Sequence, residues 1–316
     1  MNNYKKFAEF SDNDKATTIA LLKTVEAGMT SSNKPFTKCE LSDGEQTIKA
    51  NLWNTDSKVM EPLCGKPITV ELKTKPYNES IGWEVYRYSN APTDASVLDF
   101  IEKDDSNAES CLKEIISLCK GAGGTLWQIT ELLYRENFDA LKWQSAAKAV
   151  HHAVVGGLAR HTRDVVRLCF LFCKSYKELN AEVLLNAAAL HDIGKLKELE
   201  TNDVGATDYT IDGHLFGHLV IGRDMVRDAI KAHPEIEIDE MKVKGILHCI
   251  AAHHGTLEYG ALTTPKTKEA EMLYIADLGD SKLRQYNETE KTMENNTVSP
   301  NVFGLGHRVL KTDYTI

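Results

Sequence analysis

The sequence predicts a multidomain chain, a small all-β barrel followed by a larger all-α domain. Three observations carry that expectation. Short β-type runs separated by turn chemistry fill residues 17–88, a proline-marked boundary falls at 90–94, and beyond it apolar residues recur at three- and four-residue spacing. At 316 residues, with 42% hydrophobic and 26% charged side chains, the chain can build one large or two ordinary domains, each with its own core.

Residues 17–26 mix β-branched and polar side chains and form the first expected strand. Ser31-Ser32-Asn33-Lys34-Pro35 is a turn or loop, and the runs 36–41 and 46–53 flank Ser42-Asp43-Gly44-Glu45, a hairpin signal. Two more strands are expected at 67–74, where Ile68, Val70 and Leu72 alternate, and at 82–88; Lys75-Pro76-Tyr77-Asn78-Glu79 separates them. The stretch 55–63, between the third and fourth strands, is the one helical segment in this half. Five short strands with a helix in that place is the layout of an OB barrel, here over residues 15–90, whose exposed face suits single-stranded nucleic acid. Phe36, Trp53, Tyr77, Trp83, Tyr86 and Tyr88 are the aromatic side chains available for base stacking, although the interior of a small barrel needs aromatics as well. Tyr77, in its loop, is expected to be the most exposed.

Asn90-Ala91-Pro92-Thr93-Asp94 ends the barrel, because the residue before a proline leaves the helical region and Thr93 or Asp94 can cap the next helix. The second domain, 94–316, carries helical patterns over 96–103, 106–119, 125–136 and 139–149. Gly121-Ala122-Gly123-Gly124 is not a phosphate loop, since it lacks the Gly-Lys-Ser/Thr ending and follows a helix. Further helices are expected over 154–176, 182–191, 217–233, 243–252 and 268–283, and helix periodicity is lost from 287 onward.

Composition excludes several classes. The seven cysteines are scattered and contain no Cys-x-x-Cys, so neither a zinc ribbon nor a disulfide framework is indicated. Residues 15–88 carry ten basic and nine acidic side chains, so nearly all of the net charge of −9 lies beyond residue 90 and no general polyanion-binding surface is expected. The start of the chain is polar, and no run reaches the ~18 apolar residues of a membrane span. The expectation is a soluble, cytoplasmic protein with no membrane partner, compatible with a homo-oligomer.

Ten of the eleven histidines lie between His151 and His254. Within that window His161, the pair His191-Asp192, His218 and the pair His253-His254 are followed by Asp277, each expected on or at the end of a helix. Imidazole and carboxylate together form the ligand set of divalent metals that activate water, and the mixture suits Mn²⁺, Fe²⁺, Co²⁺ or Zn²⁺ better than Mg²⁺. His214, His233, His248 and His307 stand outside this order and are assigned structural roles.

The segments 151–162 and 190–195, with Gly217-His218, His253-His254-Gly255, Glu258-Tyr259-Gly260 and Ala276-Asp277, resemble the YhaM-type 3′-5′ exoribonucleases, a family that joins an amino-terminal OB fold to an HD domain. The likeness extends to Asn33-Lys34-Pro35-Phe36 and Lys49-Ala50-Asn51-Leu52-Trp53, and covers roughly residues 15–285. It implies an HD core over about 150–285, with His161, His191, Asp192 and Asp277 holding a first ion. Asp192 would then bridge to a second ion completed by His218 and His253 or His254. Lys195 is placed to stabilise a phosphate oxygen, Arg160 and Arg163 are weaker candidates for that task, and His151 and His152 would contact phosphate or cap the pocket. By position alone, Asp280, three residues beyond Asp277 on the same helical side, would orient a ligand imidazole or pair with Lys282 or Arg284, and Glu258 and Tyr259, just after the His-His-Gly turn, would touch nucleobase or ribose. The implied activity is manganese-dependent release of 5′-mononucleotides from single-stranded RNA or DNA.

Two alternatives stand beside it. An HD hydrolase of cyclic dinucleotides would carry Gly-Tyr-Pro after its paired histidines, where this chain reads Gly255-Thr256-Leu257-Glu258-Tyr259-Gly260, and a hydrolase of small nucleotides has no evident use for an OB barrel. A non-catalytic single-strand binding module would be preferred if a metal ligand were replaced, and none is.

Overall fold

The computed structural model describes residues 4–77, 80–101, 107–145, 155–202, 207–291 and 293–314. The chain divides into two compact units, Met1–Lys103 with Thr201–Ala206, and Asp104–Glu200 with Thr207–Ile316.

The first unit is a closed barrel of five strands: β1 (Lys15–Met29), β2 (Pro35–Ser42), β3 (Thr47–Trp53), β4 (Pro67–Tyr77) and β5 (Ser80–Asn90). Their order around the barrel is β1-β2-β3-β5-β4, closed by a parallel β3–β5 pairing at Ala50 and Trp83. This is the OB arrangement, with helix α1 (Ser57–Met60), capped by the Asp56 carboxylate, between β3 and β4. Alternation fills the interior: Ile48, Ala50 and Leu52 from β3 meet Ile68, Val70 and Leu72 from β4, and Phe7, Phe10, Leu41, Met60 and Val85 complete the core. The Asp43 carboxylate closes the β2–β3 turn by accepting the N–H groups of Glu45 and Gln46 at 3.0 and 2.9 Å.

Strand β1 exceeds the expected 17–26 because it serves two neighbours. Lys15–Leu21 pairs with β4 and Leu21–Met29 with β2, and the register shifts between Leu22 and Thr24, next to the change of partner. That bulge breaks the period-two signal from which strand length is read. A second register shift, where Leu72 pairs with Val85 and Glu71 with Arg87, leaves Tyr86 as the extra residue, exposed on the outside.

The second unit is helical: α2 (Ala108–Gly121), α3 (Leu126–Glu136), α4 (Phe138–Trp143), α5 (Gly157–Ser175), α6 (Ala181–Leu190), α7 (Lys195–Glu198), α8 (Ile211–Ala232), α9 (Glu240–Ala252) and α10 (Lys268–Glu290). Helix α6 is its centre. Every side chain from Glu182 to Leu190 is buried, and the Ala187-Ala188-Ala189 run admits close neighbours on several sides. Two hydrogen bonds fix α6 against α3: Thr130 Oγ1 donates to Asn186 Oδ1 at 2.7 Å, and Tyr134 Oη to the Ala189 carbonyl at 2.6 Å. The buried Glu182 carboxylate accepts the N–H groups of Thr125 and Leu126 at the start of α3 and pairs with Lys242. The end of α6, where the site begins, is therefore held by packing and by satisfied polar groups.

Four helical expectations need correction, the first being 139–149, where α4 ends at Trp143 and Gln144 is already extended. Over 96–103 the described residues form one 3-10 turn, Val97–Asp99, closed by i→i−3 bonds; so short a segment does not offset the cost of nucleating an α-helix. Helix α8 begins at Ile211 rather than at 217, and α10 continues to Glu290. The glycine-rich 304–308 segment lies against α10, where Lys282 donates to the Gly304 carbonyl at 2.7 Å. Among the described residues no helix is long and apolar enough to cross a membrane.

Candidate metal centre

Five helices deliver the site. His161 stands in α5, His191-Asp192 follow the last residue of α6, His218 lies in α8, His253-His254 follow the end of α9, and Asp277 lies in α10. The structure brings all seven together. His161 Nε2 lies 3.2 Å from His191 Nε2, 3.2 Å from Asp277 Oδ1 and 3.4 Å from Asp192 Oδ2. On the other side of the same carboxylate, Asp192 Oδ1 is 3.5 Å from His218 Nε2 and 3.7 Å from His253 Nε2, and His218 Nε2 is 3.2 Å from His254 Nε2. Asp192 thus offers one oxygen to each of two clusters, and both His253 and His254 belong to the second.

The outward nitrogens explain why these rings face inward. Nδ1 of His191 donates to the Ala188 carbonyl at 2.7 Å, that of His253 to the Ile250 carbonyl at 2.8 Å, and that of His254 to the Tyr259 carbonyl at 2.8 Å. A carbonyl only accepts, so each of these Nδ1 atoms carries the hydrogen and leaves an Nε2 lone pair aimed at the centre. His161 Nδ1 is held by Asp280 Oδ2 at 2.7 Å and His218 Nδ1 by Glu198 Oε1 at 2.9 Å. Carboxylate-backed imidazoles of this kind are the usual support of metal-bound histidine.

The donor set fits divalent ions. Asp192 Oδ1 and His253 Nε2 are buried without a hydrogen-bond partner, and the Nε2 atoms of His218 and His254 face each other at 3.2 Å with both Nδ1 positions occupied by acceptors. Buried unpaired acceptors are costly, and a shared cation satisfies all of them. Charge follows the same logic. Burial alone would raise the Asp192 carboxyl, but Lys195 and the surrounding imidazoles hold it well below the usual carboxylate range. Asp277 is depressed in the same way, chiefly by His161, against its own burial. Burial works against a charged His161, yet Asp192, Asp277 and Asp280 outweigh it and raise that imidazole well above its ordinary value. His253 and His254 are pushed the other way, by burial first and by neighbouring imidazoles second.

A cavity of about 220 Å³ opens on the ligands and is walled by Lys195, Tyr259, Tyr274, Leu278 and Ser281. The Lys195 ammonium donates to Asp192 Oδ2 at 2.7 Å, and burial, which would lower its pKa, is outweighed by that carboxylate. Arg160 pairs with Asp164 on its own helix at 3.6 Å, and Arg163 with Asp164 and the Cys111 sulfur; neither is among the described residues that wall the cavity. His151 and His152 lie outside the described residues. Of the histidines given structural roles, His233 pairs with Glu235 and the His248 ring accepts the Lys266 N–H, both away from the clusters. Phe36, Trp53 and Tyr77 belong to the barrel. Phe36 and Trp53 are register partners on β2 and β3 with ring centroids 5.0 Å apart, Trp53 is part-exposed and donates to Glu84 at 2.8 Å, and Tyr77 is exposed at the end of β4.

Glu198 is the residue that sequence reasoning missed. Its carboxylate accepts both the His218 backbone N–H, at 3.0 Å, and His218 Nδ1. Helix α8 breaks at Gly217, whose φ of 70° and ψ of 159° suit glycine, and Glu198 caps the half that restarts at His218. A single glutamate in a Lys/Glu run carries no periodic signal for that task; the Gly217-His218 break was the one available hint. Glu198→Ala is expected to weaken ion binding at the His218 cluster by about 10–100-fold while leaving the His161 cluster loaded. Manganese titration of the purified variant checks this, and an unchanged isotherm would show that His218 needs no such support.

The HD domain model matches residues 158–280 of the chain. Every one of the seven clustered residues falls inside that span, and with the barrel ahead of it the chain has an OB plus HD architecture. An HD domain indicates a metal-dependent phosphohydrolase in general.

Proposed function

We propose that the protein is a divalent-metal-dependent 3′-5′ exonuclease that removes 5′-mononucleotides from single-stranded RNA, and from DNA, through a two-ion HD site. The observation that carries the hydrolytic part is the division of the Asp192 carboxylate between two imidazole clusters, each with buried acceptors that a cation satisfies. His161, His191, Asp192 and Asp277 would hold one ion, and Asp192, His218, His253 and His254 the other. Bound there, divalent ions lower the pKa of water towards neutral and neutralise charge that develops on phosphate in the transition state; manganese suits this mixed donor set. Asp280 and Glu198 fix the rings of His161 and His218. Lys195 neutralises part of the Asp192 charge through one of its three donors and turns the rest of its side chain to the cavity, where it can meet a non-bridging oxygen.

The choice of a strand rests on the barrel. Phe36 and Trp53 form a ring pair where β2 begins and β3 ends, with the Lys75 ammonium 5.7 Å from the Trp53 ring and Tyr77 exposed on the same strand as Lys75. Aromatic rings beside a cation are what an unpaired base and its phosphate need. Incubation of 3′- and 5′-labelled RNA with a panel of metals, followed by product sizing, tests the reading. Stepwise release from the 3′ end as 5′-mononucleotides supports it; hydrolysis confined to mononucleotides or cyclic dinucleotides would refute it. Trp53→Ala is expected to weaken binding of a single strand by about tenfold, the size of one base–aromatic stack, with hydrolysis of bis(p-nitrophenyl) phosphate unchanged. Fluorescence anisotropy with a labelled oligonucleotide measures the first, and a colorimetric assay the second.

A further inference from the structure

The rim of the cavity holds an aromatic side chain that metal binding does not use. Residues 255–261 form a loop closed on itself: the Thr256 N–H donates to the His254 carbonyl at 2.9 Å, Tyr259 and Ala261 both donate to the Thr256 carbonyl, and Gly260 donates to that of Leu257. The Leu262 N–H then ties the loop to Ala251 of α9 at 3.0 Å. At its start Gly255 has a φ of 78°, and a Cβ there would fall 2.4 Å from the Tyr274 ring, so that ring presses on bare backbone and props the loop from below.

In this frame Tyr259 is anchored by its main chain and free by its side chain. Its carbonyl holds His254 Nδ1, while its ring lines the cavity and remains 67% exposed. A large aromatic ring held out to solvent by a loop that is hydrogen-bonded to itself and to α9, beside the metal ligands, marks a ligand contact. The cavity sets how much of a substrate goes inside. At about 220 Å³ it is smaller than the roughly 300–1,000 Å³ typical of small-molecule sites, enough for phosphate and sugar. The base of a nucleotide bound there is left at the rim.

We propose that Tyr259 is the platform on which the base of the terminal nucleotide stacks while its phosphate lies at the metal centre. The proposal rests on the nuclease reading above and adds how one nucleotide is seated. Every base has a π-face, so a tyrosine platform makes release indifferent to which base ends the strand.

The test compares two RNA oligonucleotides, identical except that one ends in an intact 3′ nucleotide and the other in an abasic 3′ residue. Tyr259→Ala is expected to lower kcat/KM on the intact end by about tenfold, leave the abasic end at its wild-type rate, and keep the manganese content of the protein. Tyr259→Phe should retain activity on both. Equal losses on the two ends, or loss of manganese together with activity, would make Tyr259 a prop for His254 and overturn the proposal, as would no loss on either. Unmodified protein that cleaves neither strand defeats the nuclease reading itself and the platform with it, a result read without any variant.

Discussion

Asp192→Asn is expected to lower hydrolysis by about three orders of magnitude and to cost both bound ions rather than one. The substitution keeps the shape of the side chain and removes the charge that both clusters share. Among the described residues no other carboxylate offers an oxygen to both clusters: Asp277 pairs with the His161 and His191 nitrogens, at 3.2 and 3.9 Å, and meets the second cluster only at His253, within 4.8 Å, so Asp277→Asn should weaken the first ion far more than the second. Metal analysis of the purified variants, alongside single-turnover assays, separates the two. If Asp192→Asn bound a full complement of metal and kept its rate, the shared carboxylate would have no part in the chemistry.

The same variant has a stability effect that must be told apart from the catalytic one. Lys195 is buried against Asp192, and removing one partner of a buried pair typically costs about 3–5 kcal/mol because the other charge is left without compensation. Replacing both partners is often close to neutral. The double variant Asp192→Asn, Lys195→Met should therefore recover most of the thermal stability that Asp192→Asn loses while recovering none of its activity. Recovery of both would mean that the activity loss was a folding defect.

How far the site could be read from the sequence depends on the task of each residue. Imidazoles and carboxylates at the ends of helices leave a trace, because the chemistry demands those residue types and the helices around them are periodic; hence His161, His191, Asp192, His218, His253, His254 and Asp277 could be grouped before any fold was known. The supports were less visible. Asp280 is one turn beyond Asp277, so helical spacing points to it, whereas Glu198 reaches His218 from a four-residue helix after a change of direction that no period encodes. In the barrel, turn chemistry at Asp43 and the alternation of β3 and β4 marked out the strands, but the bulges at Leu22–Thr24 and at Tyr86 interrupt the pattern where strands change partners. Arg160, adjacent to a ligand in sequence, points about 100° away from it around the helix and pairs with Asp164.

The two clusters are expected to load with different pH dependences, since their imidazoles are shifted in opposite directions. In the metal-free protein Asp192, Asp277 and Asp280 raise His161 well above the ordinary histidine value of about 6.5, so its Nε2 carries a proton at neutral pH that an ion must displace. Below that raised pKa, affinity at the His161 cluster should climb up to tenfold per pH unit, with one proton released per ion. His253 and His254 are lowered and already neutral at pH 7, so they release no proton and their share of the second cluster's affinity stays flat above pH ~6.5. Calorimetric titration of manganese in buffers of different ionisation enthalpy counts the protons, and His218→Ala isolates the first cluster. The sign extends to folding. A raised pKa contributes stability that is complete below the unfolded value of about 6.5 and is lost as pH rises through the folded one. The His161 contribution to the melting temperature of metal-free protein should therefore fade above pH ~6.5, and manganese should restore it, because the ion takes the place of the proton among the same carboxylates.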